Sequence, residues 1–188
     1  MILLQQLENQ LMYKNIFLNL AAISLLIASH SALAAPHYNV NDYYQVYKDG
    51  RIYIFDDFAT YDSFNQVGET AYRLTRIGAG PNGETLVFGL QSKDKKMSSG
   101  FGSVDLYEGT AEGITEGFYG EVIKDGRIYV FSEWPDLKDF LAVGEATFRF
   151  TQIGAGPNGE TVIYVLNKDN KKQQPTALMA EFERKHKK

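Results

Sequence analysis

Side chains capable of catalysis or metal binding are few and dispersed in this sequence. The chain has 188 residues, no cysteine and three histidines, and His186 lies close to the C-terminus while His37 follows an apolar N-terminal segment. Metal sites and general acid–base catalysis require such groups in clusters. The sequence therefore predicts no metal, no cofactor and no catalytic residue.

Paired carboxylates are the remaining catalytic hypothesis. Asp56 and Asp57 could act with Glu69, or Glu133 with Glu145, as the two acids of a glycosidase, which stand about 5 to 9 Å apart. The same residues are explained by helix capping and by surface charge. We favour the second interpretation, which predicts that the protein is not an enzyme, and keep an envelope-glycan hydrolase as the alternative.

Polar residues that recur at a constant spacing are better candidates for a binding site. If the two copies face each other, these residues converge on a shared cleft and recognise an anionic or hydroxyl-rich ligand. In the other interpretation, each arginine pairs with a glutamate of its own copy and fixes the turn between helix and strand. The recurring pairs are Arg51 and Arg127, Arg73 and Arg149, Glu69 and Glu145, and Thr75 and Thr151.

Tyrosines are concentrated at positions 43, 44 and 47. Successive residues of a strand point to opposite faces, so Tyr43 or Tyr44 is exposed unless both faces of the sheet are covered. Exposed tyrosines make good contacts with proteins and sugars, and buried ones would serve core packing; the sequence leaves both possibilities open. The predicted ligand-binding residues are Arg51, Arg73, Arg127, Arg149, Tyr43 and Tyr44.

These positions belong to an internal duplication. Residues 43–96 align with residues 119–172 without a gap at an offset of 76 (124 minus 48), and 27 of the 54 positions are identical. A gapless match of diverse residues indicates two copies of one structural unit. The sequence therefore predicts repeat 1 at 43–96 and repeat 2 at 119–172.

Each copy predicts two hairpins with a helix between them. In repeat 1, strands at 43–47 and 51–55 flank a Lys-Asp-Gly turn, and strands at 71–77 and 85–90 flank a Gly-rich turn that contains Asn-Gly. That turn also matches the GxGxxG nucleotide-binding pattern. The pattern needs a helix after the glycines, and a β-prone run follows here, so we predict a turn and no nucleotide site.

The helix between the hairpins is short and amphipathic. Asp56 or Asp57 in repeat 1, and Ser132 in repeat 2, are the predicted N-caps, and Gly68 and Gly144 are the predicted C-terminal ends. Large apolar residues at every third position place one apolar face on the sheet. They are Phe58, Tyr61, Phe64 and Val67 in repeat 1, and Trp134, Leu137, Phe140 and Val143 in repeat 2.

Two ββαββ units predict an α+β fold of eight strands and two repeat helices. A unit of this size is marginal alone. We therefore expect the copies to pack with pseudo-twofold symmetry as an antiparallel sheet with the helices on one face.

The segments beside the repeats differ in composition. Residues 97–118 hold five glycines and no basic residue, which predicts a Gly/Ser-rich acidic linker, with an edge strand at 104–107 as the alternative. Residues 173–188 are predicted to form a helical or frayed basic tail, with Leu178 and Phe182 on one face.

The N-terminus has the features of an export signal. An apolar stretch at 16–28 follows Lys14, and residues 32–34 read Ala-Leu-Ala. We predict a signal peptide at 1–34 that is cleaved after Ala34, with Met12 as the true start. The apolar stretch is shorter than the roughly 20 residues that span a bilayer. We therefore expect a periplasmic or secreted protein that has no membrane span in its mature form.

One segment resembles a known family. Residues 124–132, Lys-Asp-Gly-Arg-Ile-Tyr-Val-Phe-Ser, followed by a helix with Leu137 and Phe140, look like the hairpin-then-helix segment of YHS-type domains, some of which are exported. The resemblance covers under half of each repeat. The cysteines of many such domains and their Pro-x-x-Tyr after the helix are missing here, so the resemblance implies shared geometry and no metal site.

Charge and composition narrow the function further. The net charge is −4 with both signs interleaved, which argues against a nucleic-acid partner because phosphate neutralisation needs a basic surface. We expect an exported, non-enzymatic binding or inhibitor-like protein of the cell envelope, whose partner is a protein or an envelope glycan. The alternatives are the glycan hydrolase and a structural assembly subunit, and the oligomeric state is left open.

Overall fold

The computed structural model describes residues 38–97 and 99–187. The predicted signal peptide and its cleavage site lie outside the described residues. Within them, no helix is long and apolar enough to cross a membrane. The strands are β1 (Asp42–Lys48), β2 (Arg51–Phe55), β3 (Tyr72–Arg76), β4 (Thr85–Leu90), β5 (Tyr119–Lys124), β6 (Arg127–Phe131), β7 (Phe148–Gln152) and β8 (Thr161–Leu166), and the α-helices are α1 (Phe58–Val67), α2 (Gly102–Glu108), α3 (Trp134–Val143) and α4 (Thr176–His186), with a 3₁₀ turn at Asp94–Lys96.

All eight strands join one sheet in the order β3-β4-β2-β1-β5-β6-β8-β7. The sheet is mixed, not antiparallel as expected. The hairpin pairs are antiparallel, but β2 pairs with β4, β6 with β8 and β1 with β5 in parallel. Within each half, the strand after the helix lies at the edge of the sheet and runs antiparallel to the strand before the helix. The hairpin turn that follows then brings β4 back parallel to β2, and β8 back parallel to β6.

Helices cover both faces of the sheet, so the prediction that they cover one face is not confirmed. One apolar cluster, the α1 face, joins Tyr61 of α1 and Phe182 of α4 to Tyr44 of β1. The other, the α3 face, joins Leu137 of α3 to Tyr43 of β1. β1 and β5 lie side by side in parallel, and the equivalent strands of the two halves follow outward from them in the same order on either side. Equivalent residues of the two halves therefore point to opposite faces of the sheet.

The helix ends follow local sequence with one exception. Asp57 is the N-cap of α1 and its carboxylate accepts a hydrogen bond of 3.1 Å from the Thr60 amide. Gly68 and Gly144 end α1 and α3, both with φ of 85°, as predicted. Ser132 does not cap α3: the N-cap is Glu133, which makes no side-chain capping bond.

The segment predicted to be a linker contains α2. Phe101, Val104 and Leu106 are buried on the α3 face, because a sheet eight strands wide leaves apolar surface that the repeat helices alone do not cover. The edge strand considered for residues 104–107 is not formed. On the opposite face, the C-terminal tail forms α4 and buries Leu178 and Phe182, the two residues that the sequence placed on one helical face.

Candidate functional site

The four duplicated arginines do not come together. Arg51 and Arg73 line a cavity of about 440 Å³ with Lys48 and Glu69. Arg51 lies two residues before Tyr53 on β2 and therefore on the same side of the sheet, where Tyr53 packs in the α1 face. Its counterpart Arg127 lies two residues before Tyr129, which packs against the α3 face. The arginines of the two repeats therefore lie on opposite sides of the sheet and form no shared cleft.

The predicted tyrosine contacts are also not on the surface. Tyr43 and Tyr44 are both fully buried, because helices cover both sides of β1. Tyr43 makes an edge contact with Trp134, and Tyr44 stacks on Tyr61 at 4.6 Å between ring centroids. Both therefore build the cores; a role for the arginines in ligand binding stays a prediction.

The carboxylates of the hydrolase alternative have mainly structural surroundings. Asp57 caps α1, and Glu69, Glu133 and Glu145 are exposed. Asp56 is buried between β2 and Gly102 of α2. Burial, followed by the nearby charge of Asp57, raises the pKa of Asp56 to about 6.

A buried glutamate that sequence reasoning did not select forms the most unusual site in the described chain. Glu121 lies on the central strand β5 and is fully buried. Its carboxylate accepts hydrogen bonds from the Tyr61 hydroxyl at 2.7 Å and from the Tyr119 hydroxyl at 2.5 Å, and His186 Nε2 lies 2.8 Å from Oε1. A buried carboxylate is costly unless its oxygens are hydrogen-bonded, and these three partners surround both of them.

The two tyrosines remain hydrogen-bond donors over the ordinary pH range. Burial, reinforced by the charge of Glu121, raises the pKa of both Tyr61 and Tyr119 well above its usual value. Both phenols therefore stay protonated and hold the carboxylate in place. Burial also raises the pKa of Tyr44 beside them, with Asp42 as the next contribution.

Lys185 completes the site from the last turn of α4. Its ammonium lies 3.1 Å from the Tyr44 hydroxyl and 3.4 Å from an Asp42 oxygen. It also lies 4.7 Å from the centroid of the Tyr119 ring and 5.4 Å from that of Phe58, within cation–π range. The basic end of the chain is therefore docked on a ring-lined acidic site.

The pseudo-equivalent position on the α3 face carries no charge. Gln45 stands 76 residues before Glu121 (121 minus 45), is also buried, and accepts a hydrogen bond of 2.5 Å from Tyr43, the counterpart of Tyr119. The counterpart of Tyr61 is Leu137, which has no hydroxyl. The α1 face thus carries a carboxylic acid with three partners where the α3 face carries a neutral amide.

A cavity of about 580 Å³ opens beside the charged site on the α1 face. Tyr61 and His186, both in contact with Glu121, form part of its wall. Repeat 1 contributes β1 and α1, repeat 2 contributes β5, β6 and the turn between β7 and β8, and α4 contributes His186. The lining residues include Val46, Lys48, Tyr61, Asp62, Asn65, Gln66, Ile123, Ile128, Asn158, Glu160 and His186.

Sequence reasoning missed this site because its members are far apart in the chain. His186 is set aside as a terminal histidine, and Glu121 stands alone in an apolar strand. The available signal was the difference between the copies, since glutamine at 45 becomes glutamate at 121 within otherwise similar strands. Only the docking of α4 shows that a histidine lies against Glu121.

Metal binding and similarity to known proteins give no further indication of function. Among the residues that the structure describes, no group of three or more histidine, aspartate or glutamate side chains is arranged to hold a metal ion. Comparisons of the chain with family models, with curated proteins and with solved structures found no match. The resemblance to YHS-type domains therefore gains no support from them.

Proposed function

We propose that this protein is an exported, non-enzymatic binding protein of the cell envelope whose ligand occupies the cavity between the two halves of the sheet, which we call the inter-repeat cavity. In this proposal, the chain is a tandem ββαββ duplication with a pseudo-twofold axis that runs along the strands between β1 and β5. The observation that carries it is a cavity lined by both repeats beside the Glu121 site. The signal peptide predicted for residues 1–34 supports a periplasmic or secreted location in this proposal.

The size and lining of the cavity favour a small ligand. Its volume of about 580 Å³ lies within the range of roughly 300 to 1,000 Å³ typical of ligand sites. Apolar side chains of β1, β5 and β6 contribute to the lining, and polar side chains of α1 and of the β7–β8 turn provide specific contacts. Because Glu121 holds both Tyr61 and His186, part of the wall is fixed before a ligand arrives.

Divergence between the copies points to the same cavity. The corresponding cavity on the α3 face is smaller, about 380 Å³. There, Leu141 and Ala142 occupy the positions of Asn65 and Gln66, so polar groups are replaced by apolar ones. A scaffold role would allow both copies to stay alike, whereas a single binding site favours polar groups in one of them.

A cavity-filling variant tests the proposal. Gln66 is exposed on α1 and lines the cavity, and Ser63 is exposed on the same helix outside the lining. The full chain is expressed, and the purified protein is screened by ligand-observed NMR against amino sugars, their N-acetylated forms and disaccharide–peptide fragments of envelope glycan. We expect at least one compound to bind, Gln66→Trp to weaken that binding at least tenfold, and Ser63→Trp to leave it unchanged.

Two outcomes contradict the proposal. One is that no compound binds. The other is that Gln66→Trp and Ser63→Trp bind with the same affinity as the natural chain, which would place the ligand elsewhere. Circular dichroism of both variants confirms that they fold.

A further inference from the structure

Another cavity lies on the α1 face at the β3 edge of the sheet, and we call it the edge cavity. Its volume is about 440 Å³, and it is enclosed by the C-terminal end of α1, the turn between β1 and β2, and the strands β2, β3 and β4. Lys48 borders both this cavity and the inter-repeat cavity, but the other lining residues differ. The edge cavity is therefore a site that the proposed function does not use.

Three cations in the lining have no ion-pair partner among the described residues. They are Lys48, Arg51 and Arg73. The Arg51 guanidinium donates a hydrogen bond of 3.3 Å to the Tyr53 hydroxyl, which orients it beside the cavity. Arg73 makes neither a hydrogen bond nor an ion pair within the described chain. Its guanidinium donors are therefore available to a ligand.

Two carboxylates in the same lining limit the excess of positive charge. Asp49 and Glu69 form no ion pair with the three cations, and the formal charge of the lining is +1 (three minus two), although the whole chain carries −4. A ligand with one negative charge balances this lining, whereas a dianion reverses its sign. Both carboxylates can accept hydrogen bonds from hydroxyl groups of that ligand.

A buried hydroxyl without a partner belongs to the same lining. Thr70 is 7% exposed and lines the edge cavity, and its Oγ1 has no hydrogen-bond partner among the described residues. Burial of a hydroxyl without a hydrogen bond is unfavourable, and a ligand oxygen that accepts its proton removes this cost. Thr70 is thus a second indication, independent of the charges, that a polar group binds here.

We infer that the edge cavity binds a carboxylate that carries hydroxyl groups, as in a sugar acid. Arg73 binds the carboxylate, because the planar guanidinium matches its two oxygens. Arg51 and Lys48 stabilise the negative charge, and Thr70 donates to a ligand oxygen. Ile77, which is 88% exposed in the same lining, contacts the apolar face of the ring. This inference does not rest on the inter-repeat cavity.

Repeat 2 provides a matched control on the opposite face of the sheet. At an offset of 76 it carries the same residues as the edge cavity, except Ala146 in place of Thr70 and Ile163 in place of Val87. There, the Arg149 guanidinium donates to the Ala146 carbonyl oxygen at 3.4 Å, so it is engaged where Arg73 is free. Arg149→Gln therefore removes an equivalent charge and leaves the proposed site intact.

Calorimetric titration of the purified protein tests the inference with three sugars of one ring size. They are glucuronate, which has one negative charge, glucose, which is neutral, and glucose 6-phosphate, which is mainly a dianion. We expect glucuronate to bind more tightly than glucose 6-phosphate and at least about tenfold more tightly than glucose. We expect Arg73→Gln to weaken glucuronate binding at least about tenfold and Arg149→Gln to leave it unchanged.

A second variant tests the buried hydroxyl. Thr70→Val keeps the shape of the side chain and removes the donor. We expect it to weaken glucuronate binding at least about threefold, while thermal unfolding of the variant without ligand shows no loss of stability, since the hydroxyl has no partner to lose. Unchanged glucuronate affinity in Thr70→Val would contradict the role given to this hydroxyl.

The remaining outcomes separate this inference from the proposed function. The inference is wrong if glucuronate does not bind, if glucose or glucose 6-phosphate binds as tightly, or if Arg73→Gln and Arg149→Gln have equal effects. If Gln66→Trp abolishes glucuronate binding and Arg73→Gln does not, the ligand occupies the inter-repeat cavity, and only the proposed function survives. If Arg73→Gln abolishes it and Gln66→Trp does not, the edge cavity is a separate site whatever the outcome for the inter-repeat cavity.

Discussion

Gln45 and Glu121 occupy equivalent positions on the two central strands, and each accepts a hydrogen bond of 2.5 Å from the tyrosine two residues before it. They differ in what surrounds them. The Gln45 side chain also hydrogen-bonds to Tyr47, whose counterpart in repeat 2 is Ile123. Glu121 instead meets donors from α1 and α4, so its extra charge is matched by extra hydrogen bonds.

Replacing Glu121 by glutamine tests whether the charge matters beyond shape. The variant Glu121→Gln keeps the volume but turns an acceptor oxygen into an amide group that faces donors. We expect the free energy of unfolding to fall by about 1 to 3 kcal/mol, measured by urea denaturation. A change below about 0.5 kcal/mol would show that the carboxylate is dispensable. The control is Gln66→Asn, a polar change at an exposed helical position.

The docking of α4 is expected to depend on Lys185. Its side chain is 11% exposed and contacts Asp42 and the surrounding rings, whereas Lys187 is exposed. Lys185→Met keeps the apolar stem and removes the charge, which costs about 1 kcal/mol. We expect faster hydrogen exchange of the α4 amides in Lys185→Met and no change in Lys187→Met. Equal exchange in both variants would contradict the docking role.

Local structure could be predicted closely from the sequence because it depends on nearby residues. β2, β4, β6 and β8 begin and end where turn chemistry and β-prone runs placed them. The repeat helices end at Gly68 and Gly144, since glycine readily adopts positive φ. Long-range arrangement was not predictable: the alignment gives the same pattern whether the copies pair with their helices on one face or on two.

The site depended on information that the local pattern does not contain. A buried charge is stabilised by groups that fold next to it, and those of Glu121 come from residues 61 and 186, at distances of 60 and 65 in sequence. The predicted apolar face of each repeat helix is confirmed except at its last member. Tyr61, Phe64, Leu137 and Phe140 are buried, whereas Val67 and Val143, at the helix ends, are 73% and 75% exposed.

Asp56 is expected to make stability depend on pH between about 4 and 6. Burial, with the charge of Asp57, raises its pKa in the folded protein to about 6 from an ordinary value of 3.8. The folded state therefore holds its proton more tightly, and stability falls as pH rises through this window. Asp56→Asn should abolish that fall and stabilise the protein at pH 7.5 by on the order of 3 kcal/mol.

Thermal unfolding at a series of pH values measures this effect. Asp49 is an exposed turn residue, so Asp49→Asn serves as the control and should follow the natural chain at every pH. If Asp56→Asn keeps the same fall in stability between pH 4 and 6, the dependence comes from another group.

Export is tested at the N-terminus of the purified protein. We predict a periplasmic or secreted form that begins at Ala35, because residues 32–34 have the small-x-small pattern of a cleavage site. Intact-mass spectrometry of the periplasmic fraction measures this directly. Recovery of a chain that still carries Met12 in the cytoplasm would contradict export. Ala34→Leu should impair cleavage.

Chemical-shift mapping tests the central claim most directly. The ¹⁵N-labelled protein is titrated with the neutral compound of the glycan screen that binds most tightly, and the perturbed backbone amides are assigned. The proposed function predicts that the perturbations concentrate in residues 61–66, 157–160 and 184–187, which surround the inter-repeat cavity. Perturbations that concentrate instead around Arg51 and Arg73, or around Arg127 and Arg149 on the opposite face, would contradict it.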